Sequence, residues 1–111
     1  QSQTQDVLFQ YVNRIHEIYG SELKAVILYG SYARGDYTES SDIDIMILVD
    51  STEDTIKQKG RMVSDITFDF NLDHDIMIMP IVKNVNHFQY WLPADPFYKN
   101  VKNDGVELYV A

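Results

Sequence analysis

Cysteine is absent from the chain, which excludes a disulfide framework and any thiolate metal site. Positive charge is scarce as well. Nine Lys and Arg stand against seventeen Asp and Glu, a formal net charge of −8. Affinity for nucleic acid comes mainly from neutralising phosphates, so a domain this acidic is a poor general nucleic-acid binder. Lys57, Lys59 and Arg61 come nearest to a basic cluster and read as one solvated helix face, with a partner patch as the alternative. Long apolar runs are missing too. None approaches the roughly 20 residues of a membrane-spanning helix, and no signal-peptide core is expected. These absences suit a reducing cytosol, so a cytoplasmic location is the expectation. With no repeat, linker or low-complexity tract, a single domain over 1–111 is expected.

What is present is a chain with 45 % apolar residues, patterned in alternating helical and strand periods. A first helix, capped by Thr4 or Ser2, runs to about Tyr19 with Val7, Leu8, Tyr11, Val12, Ile15, Ile18 and Tyr19 on one face, and Gly20 ends it. Lys24 to Tyr29 is a short buried strand. Ser31 to Arg34 is a helical turn, Gly35 to Ser41 a polar loop, and Ile43 to Val49 a second buried strand. A helix capped by Ser51 or Thr52 buries Ile56, Val63, Ile66 and Phe70 and ends near Leu72. A third strand covers Ile76 to Met79 and extends toward Val82. Pro80 puts that end either at a sheet edge or already outside the sheet. A short helix follows to Trp91, then a turn, a last helix over Phe97 to Asn103 closed by Gly105, and an edge strand over Val106 to Val110.

The chemistry concentrates between Tyr29 and Asp50. Gly30 and Ser31 are followed by ten residues and then Asp42-Ile43-Asp44. On a strand, residues two apart share a face, so the two carboxylates project side by side, roughly 6–7 Å apart at Cα. Such a pair repels itself unless a cation lies between, and its oxygen donors suit Mg²⁺. Gly30 permits a tight turn and close backbone approach, and Ser31 offers a hydroxyl and an amide to phosphate. The second strand, helix and third strand form a right-handed crossover, hence a parallel pair. Asp75, abutting the third apolar run, then starts at the same sheet edge as Asp42 and Asp44. Asp73, two residues earlier, stays open as the alternative. Strand one must run antiparallel to bring Gly30 to that edge, so the sheet is expected to be mixed, in an α/β (α+β) fold with helices mainly on one face. His74 is set aside because Mg²⁺ prefers oxygen.

Gly30-Ser31, the ten-residue spacer and Asp42-x-Asp44 resemble the signature of the polymerase β-like nucleotidyltransferase superfamily. The fuller string GSYARGD…SDIDIMILVD is most similar to its minimal branch. Those are small single-domain proteins often encoded beside a HEPN-domain toxin, for which they act as antitoxin. The resemblance implies a nucleotidyltransferase fold and transfer of a nucleoside monophosphate, AMP from ATP, to a hydroxyl. It implies two Mg²⁺ ions on Asp42 and Asp44, with Asp75 completing the metal site and taking the acceptor proton. It implies that Gly30 and Ser31 bind the terminal phosphates. Arg34 fits one phosphate oxygen or, alternatively, an ion pair with Asp36 or Glu39.

A chain that spends its length on such a core is expected to need an acceptor that brings its own surface. Three functions stay open: an antitoxin that adenylylates a tyrosine hydroxyl of a HEPN toxin in a hetero-oligomer, a catalytically idle antitoxin that only binds, and a transferase for a small-molecule hydroxyl. Met46 shares a face with the aspartate pair, and Met77 and Met79 share one with Asp75. The three are expected to form an adaptable apolar floor beside the metals, or else plain core.

Overall fold

Strand two, IDIMILV, is apolar on both faces apart from Asp44, and that fixes the layering. In the computed structural model, which describes residues 2–111, it lies inside a four-stranded sheet with helices on either side. The elements are α1 (Ser2–Tyr19), a 3-10 turn (Gly20–Glu22), β1 (Leu23–Tyr29), α2 (Ser31–Arg34), β2 (Ile43–Val49), α3 (Glu53–His74), β3 (Ile78–Asn84), α4 (Val85–Trp91), α5 (Pro96–Asp104) and β4 (Val106–Val110). The sheet order is β3-β2-β1-β4. β1 is antiparallel to both β2 and β4, and β2 and β3 are parallel, so the sheet is mixed as expected.

One face of the sheet meets α1 and α3. Val26, Leu28, Ile43, Ile45, Ile47, Val49 and Ile78 are buried there with Tyr11, Ile15 and Phe70. The other face carries a smaller cluster of Ile27, Met46, Leu48, Phe88, Tyr98 and Val101 under the short helices α4 and α5. The two long helices thus cover one side, and the second side is only partly roofed. Among buried polar groups on the major side, the Tyr19 hydroxyl has no hydrogen-bond partner, while Tyr11 and Thr67 are paired. The Thr67 hydroxyl donates to the Val63 carbonyl at 2.7 Å. Its one proton being spent there, it accepts from the Tyr11 hydroxyl at 2.7 Å.

Helix boundaries follow their caps. Thr52 accepts from the Thr55 amide and opens α3, Asn84 opens α4, and Asp95 opens α5 with Pro96 behind it. Thr4 does not cap α1, because the helix already begins at Ser2, and the side chain of Ser2 lies outside the described residues. The larger difference is at the far end of α3. This helix runs to His74, and Asp75 is its C-cap, in the left-handed region at φ 53 and ψ 50. β3 begins only at Ile78. The reason is Asn71, whose side chain accepts from the Ile78 amide at 2.7 Å and donates to the Ile78 carbonyl at 3.2 Å. That side chain occupies the outer edge of β3 like a fragment of strand. Pro80, inside this edge strand, removes one outward donor.

Candidate active site

Asp42 and Asp44 stand where β2 enters the sheet, on the face that α4 and α5 leave partly open. Asp42 is exposed and Asp44 half-buried. The register sets the neighbours of Asp44. Tyr29 lies opposite it on β1 and Met79 opposite it on β3. Immediately after Tyr29 the chain turns at Gly30, with φ 76 and ψ −155, a conformation essentially reserved for glycine. The turn folds the Gly30 backbone onto the aspartate. A Cβ at Gly30 would overlap the Asp44 Oδ2 and sit 3.3 Å from its Cγ.

From there α2 makes a single turn, closed by Gly35 at φ 84 and ψ 8, where a left-handed residue is required. The Gly35 and Asp36 amides both bond to the Ser31 carbonyl, at 2.9 and 3.2 Å. The polar loop that follows is held by its own groups. The Ser41 Oγ accepts from the Thr38 amide at 2.8 Å, and the rings of Tyr32 and Tyr37 stack at 4.2 Å. Arg34 pairs with Asp36 at 3.3 Å, both side chains about half exposed, so the ion pair expected as the alternative for Arg34 is formed. The guanidinium also reaches Asp44 electrostatically. Burial raises the Asp44 carboxyl above its ordinary range, the neighbouring Asp42 charge raises it further, and Arg34 opposes both. The Tyr29 hydroxyl is pushed up to about 12, by burial first and by Asp44 second.

The third acid is not where the sequence suggested. Asp75 does not open β3. It caps α3, exposed, three residues ahead of the strand. Asp73 belongs to the last turn of the same helix. Among the described residues no three His, Cys, Asp or Glu side chains gather closely enough to hold a metal ion. The positions of the third chain segment that flank the aspartates are Met77 and Met79. The Met77 carbonyl accepts from the Ile43 amide at 2.7 Å. The two side chains are 50 % and 47 % exposed. Met46 is fully buried in the smaller core, so it is plain core, and only Met77 and Met79 remain as exposed apolar surface beside the site. Sequence reasoning placed Met79 beside the site but did not find Tyr29 opposite Asp44, because strand register carries no local signal.

Two carboxylates still match a divalent ion. Mg²⁺ commonly takes one or two carboxylates and completes its shell with phosphate oxygens and water. An exposed aspartate beside a half-buried one, under the bare Cα of Gly30, offers that donor set. The turn and the carboxylates together form an open shelf suited to a polyphosphate.

A family profile described as "Polymerase beta, Nucleotidyltransferase" matches residues 12–109. Two proteins of Methanocaldococcus jannaschii are similar over nearly their whole lengths. "Putative protein adenylyltransferase MJ0141" is 36 % identical over 103 residues, 93 % of this chain and 96 % of its own. "Putative protein adenylyltransferase MJ0604" is 37 % identical over 100 residues, 90 % and 92 %. Among solved structures, one of a "toxin-antitoxin with AMP-PNP" superposes with a TM-score of 0.59 at 19 % identity, over 93 % of this chain and 73 % of that one. One of a mutant of the "toxin-antitoxin MntA-HpeT" gives 0.58 at 17 %, with the same coverage. At such identities the likeness is one of fold.

Proposed function

The chain belongs to the polymerase β nucleotidyltransferase family, and from that premise we propose that it transfers AMP from ATP to a hydroxyl of a partner protein, as the antitoxin of a HEPN-domain toxin. The observation that carries the reading is the contact between Gly30 and Asp44. It fuses the phosphate seat and the acidic pair into one shelf, which is the juxtaposition that transfer at a phosphate needs.

In this reading the acceptor oxygen attacks the α-phosphorus, the bond to the pyrophosphate oxygen breaks, and the acceptor proton leaves to water. Such a displacement asks for positioning and charge neutralisation more than for covalent help. The Ser31 hydroxyl and the Gly30–Ser31 amides bind the terminal phosphates. Arg34, swung from Asp36, neutralises a phosphate oxygen. Asp42 and Asp44 hold Mg²⁺, which supplies charge compensation on the triphosphate. Tyr29, a phenol that stays protonated, supports Asp44 from β1.

Two kinds of support bear on the acceptor. The similar M. jannaschii proteins are named as protein adenylyltransferases, and the fold neighbours are toxin–antitoxin structures, one of them with AMP-PNP. The net charge of −8 complements a basic, RNA-binding toxin and fits a hetero-oligomer in the cytoplasm. The test is incubation with α-labelled ATP, Mg²⁺ and the protein encoded next to this one. Label should appear on that protein and fall by at least about 100-fold in Asp42→Asn. A second reading, an antitoxin that acts by binding alone, is favoured because no third acid joins the pair in a metal-holding group among the described residues. A stable complex that never takes label would establish it and remove the first.

A further inference from the structure

We propose that the metal site has two protein carboxylates only, with Met79 standing where a third would be, so that the divalent ion is held firmly only together with the nucleotide. This rests on the transferase reading above and specifies how its metal is bound.

The sheet register sets the strand neighbours of Asp44 on its own face. Along β2 these are Asp42 on one side and the buried Met46 on the other. Across β1 it is Tyr29, and across β3 it is Met79. The Gly30 backbone closes the remaining approach. Asp42 is the one further acid in that set. A thioether is a soft donor that Mg²⁺ does not choose, so Met79 adds no ligand.

Slippage of β3 by a few residues would be needed to bring Asp75 alongside, and three features oppose it. Asn71 grips both backbone groups of Ile78. The Asp75 amide closes α3 on the Asn71 carbonyl. The parallel ladder runs without a break from Ile43 and Ile78 to Val49 and Asn84. Asp73, His74 and Asp75 are therefore held in the last turn and cap of α3.

Met79 is also an unusual residue to leave 47 % exposed at the rim of a polar shelf. With Met77 it makes the β3 flank of the site apolar, opposite the flank that carries Gly30, Ser31 and Arg34. Mg²⁺ with two carboxylates keeps most of its water and gains its remaining ligands from phosphate. Metal and nucleotide affinities must then rise together, since linkage is reciprocal.

Mn²⁺, read by its electron-spin resonance signal, tests this on the full chain, alone and with α,β-methylene-ATP. The chain alone should bind Mn²⁺ weakly, and the nucleotide analogue should tighten retention. Asp75→Asn should change neither, within about twofold. Met79→Asp should tighten binding without nucleotide by about tenfold, because it adds a charged ligand beside Asp44. A clear loss of Mn²⁺ in Asp75→Asn, or tight binding by the unmodified chain alone, would overturn the proposal. Circular dichroism checks that Met79→Asp folds. Were it to misfold, the Asp75→Asn arm still decides, because that side chain is exposed. Labelled transfer assayed on the same proteins separates the two readings. Transfer that survives Asp75→Asn and dies with Asp42→Asn supports both. The expected Mn²⁺ pattern with no transfer to any partner would sink the transferase reading and leave the two-carboxylate site standing.

Discussion

The Cα of Gly30 lies against the carboxylate of Asp44. There is no space for even a methyl group between them, and the backbone at Gly30 takes a conformation that side chains exclude. Gly30→Ala should therefore destabilise the fold by at least about 2 kcal/mol and displace Asp44. Gly35 offers the control. It also has a positive φ, but nothing lies within 4 Å of a Cβ there. Gly35→Ala should cost about 1 kcal/mol from the left-handed backbone alone and spare Asp44. Urea unfolding of both variants compares the two costs, and nucleotide binding reports on the shelf. Equal effects would show that the contact with Asp44 does not matter.

The buried pair Tyr11 and Thr67 predicts an asymmetry. Tyr11 donates and Thr67 accepts, because the Thr67 proton goes to Val63. Tyr11→Phe removes one hydrogen bond but leaves Thr67 its carbonyl partner, for a loss of about 1 kcal/mol. Thr67→Val strands the Tyr11 hydroxyl in the core and should cost more, up to about 3 kcal/mol. Denaturant midpoints for the two variants, at unchanged slope, decide the order.

Alkaline pH offers a separate check on the same tyrosine. Burial pushes the Tyr11 hydroxyl from 10.0 up to about 12, with its bond to Thr67 opposing. An acid whose folded value is raised favours folding while protonated. That stability is fully present below pH 10 and is lost as pH climbs through about 12, since the unfolded chain gives up the proton first. Tyr29, also raised to about 12, adds to the decline. Between pH 10 and 12 the slope for Tyr11→Phe should be shallower than for the unmodified chain by up to about 1.4 kcal/mol per pH unit. Parallel curves would show that Tyr11 does not titrate in this way.

Asn71 guards the edge of the sheet. Asn71→Asp keeps the acceptor for the Ile78 amide and deletes the donor to its carbonyl. Asn71→Ala deletes both. Asn71→Ala should cost about 2 kcal/mol, about 1 for each bond, and Asn71→Asp at least about 1 kcal/mol, because its second carboxylate oxygen then faces the Ile78 carbonyl. Amide exchange at Ile78 should quicken chiefly in Asn71→Ala. Freed of its cover, the edge strand in that variant should also associate more readily, which light scattering would detect.

Much of the architecture was readable before any coordinates. Strand period, the Gly20 stop, a cap at Ser51 or Thr52 and the crossover rule were enough to lay out four strands, five helices and a mixed sheet. Pro80 left β3 either at an edge or ending before it, and the sheet order makes it an edge strand. For the site, the turn at Gly30 and the pairing of Asp42 with Asp44 follow from local rules, a glycine for close approach and a period of two on a strand. Asp75 misled because an acid before an apolar run looks the same whether it opens a strand or caps a helix. Only the grip of Asn71 on Ile78, a tertiary contact, decides between them. Met46 misled for a related reason. It shares a face of the sheet with Met79, but α4 and α5 cover Met46 and leave Met79 bare.

Order along the chain by itself determined which residues turn, which pair two apart, and how much negative charge the domain carries, because each depends on near neighbours or on simple counting. Which strand residue sits across from which was decided by the folded sheet, where packing of both faces and one side-chain clamp set the register. The same two aspartates are therefore announced by the sequence, while which methionine stands directly across from Asp44 is assigned by the fold.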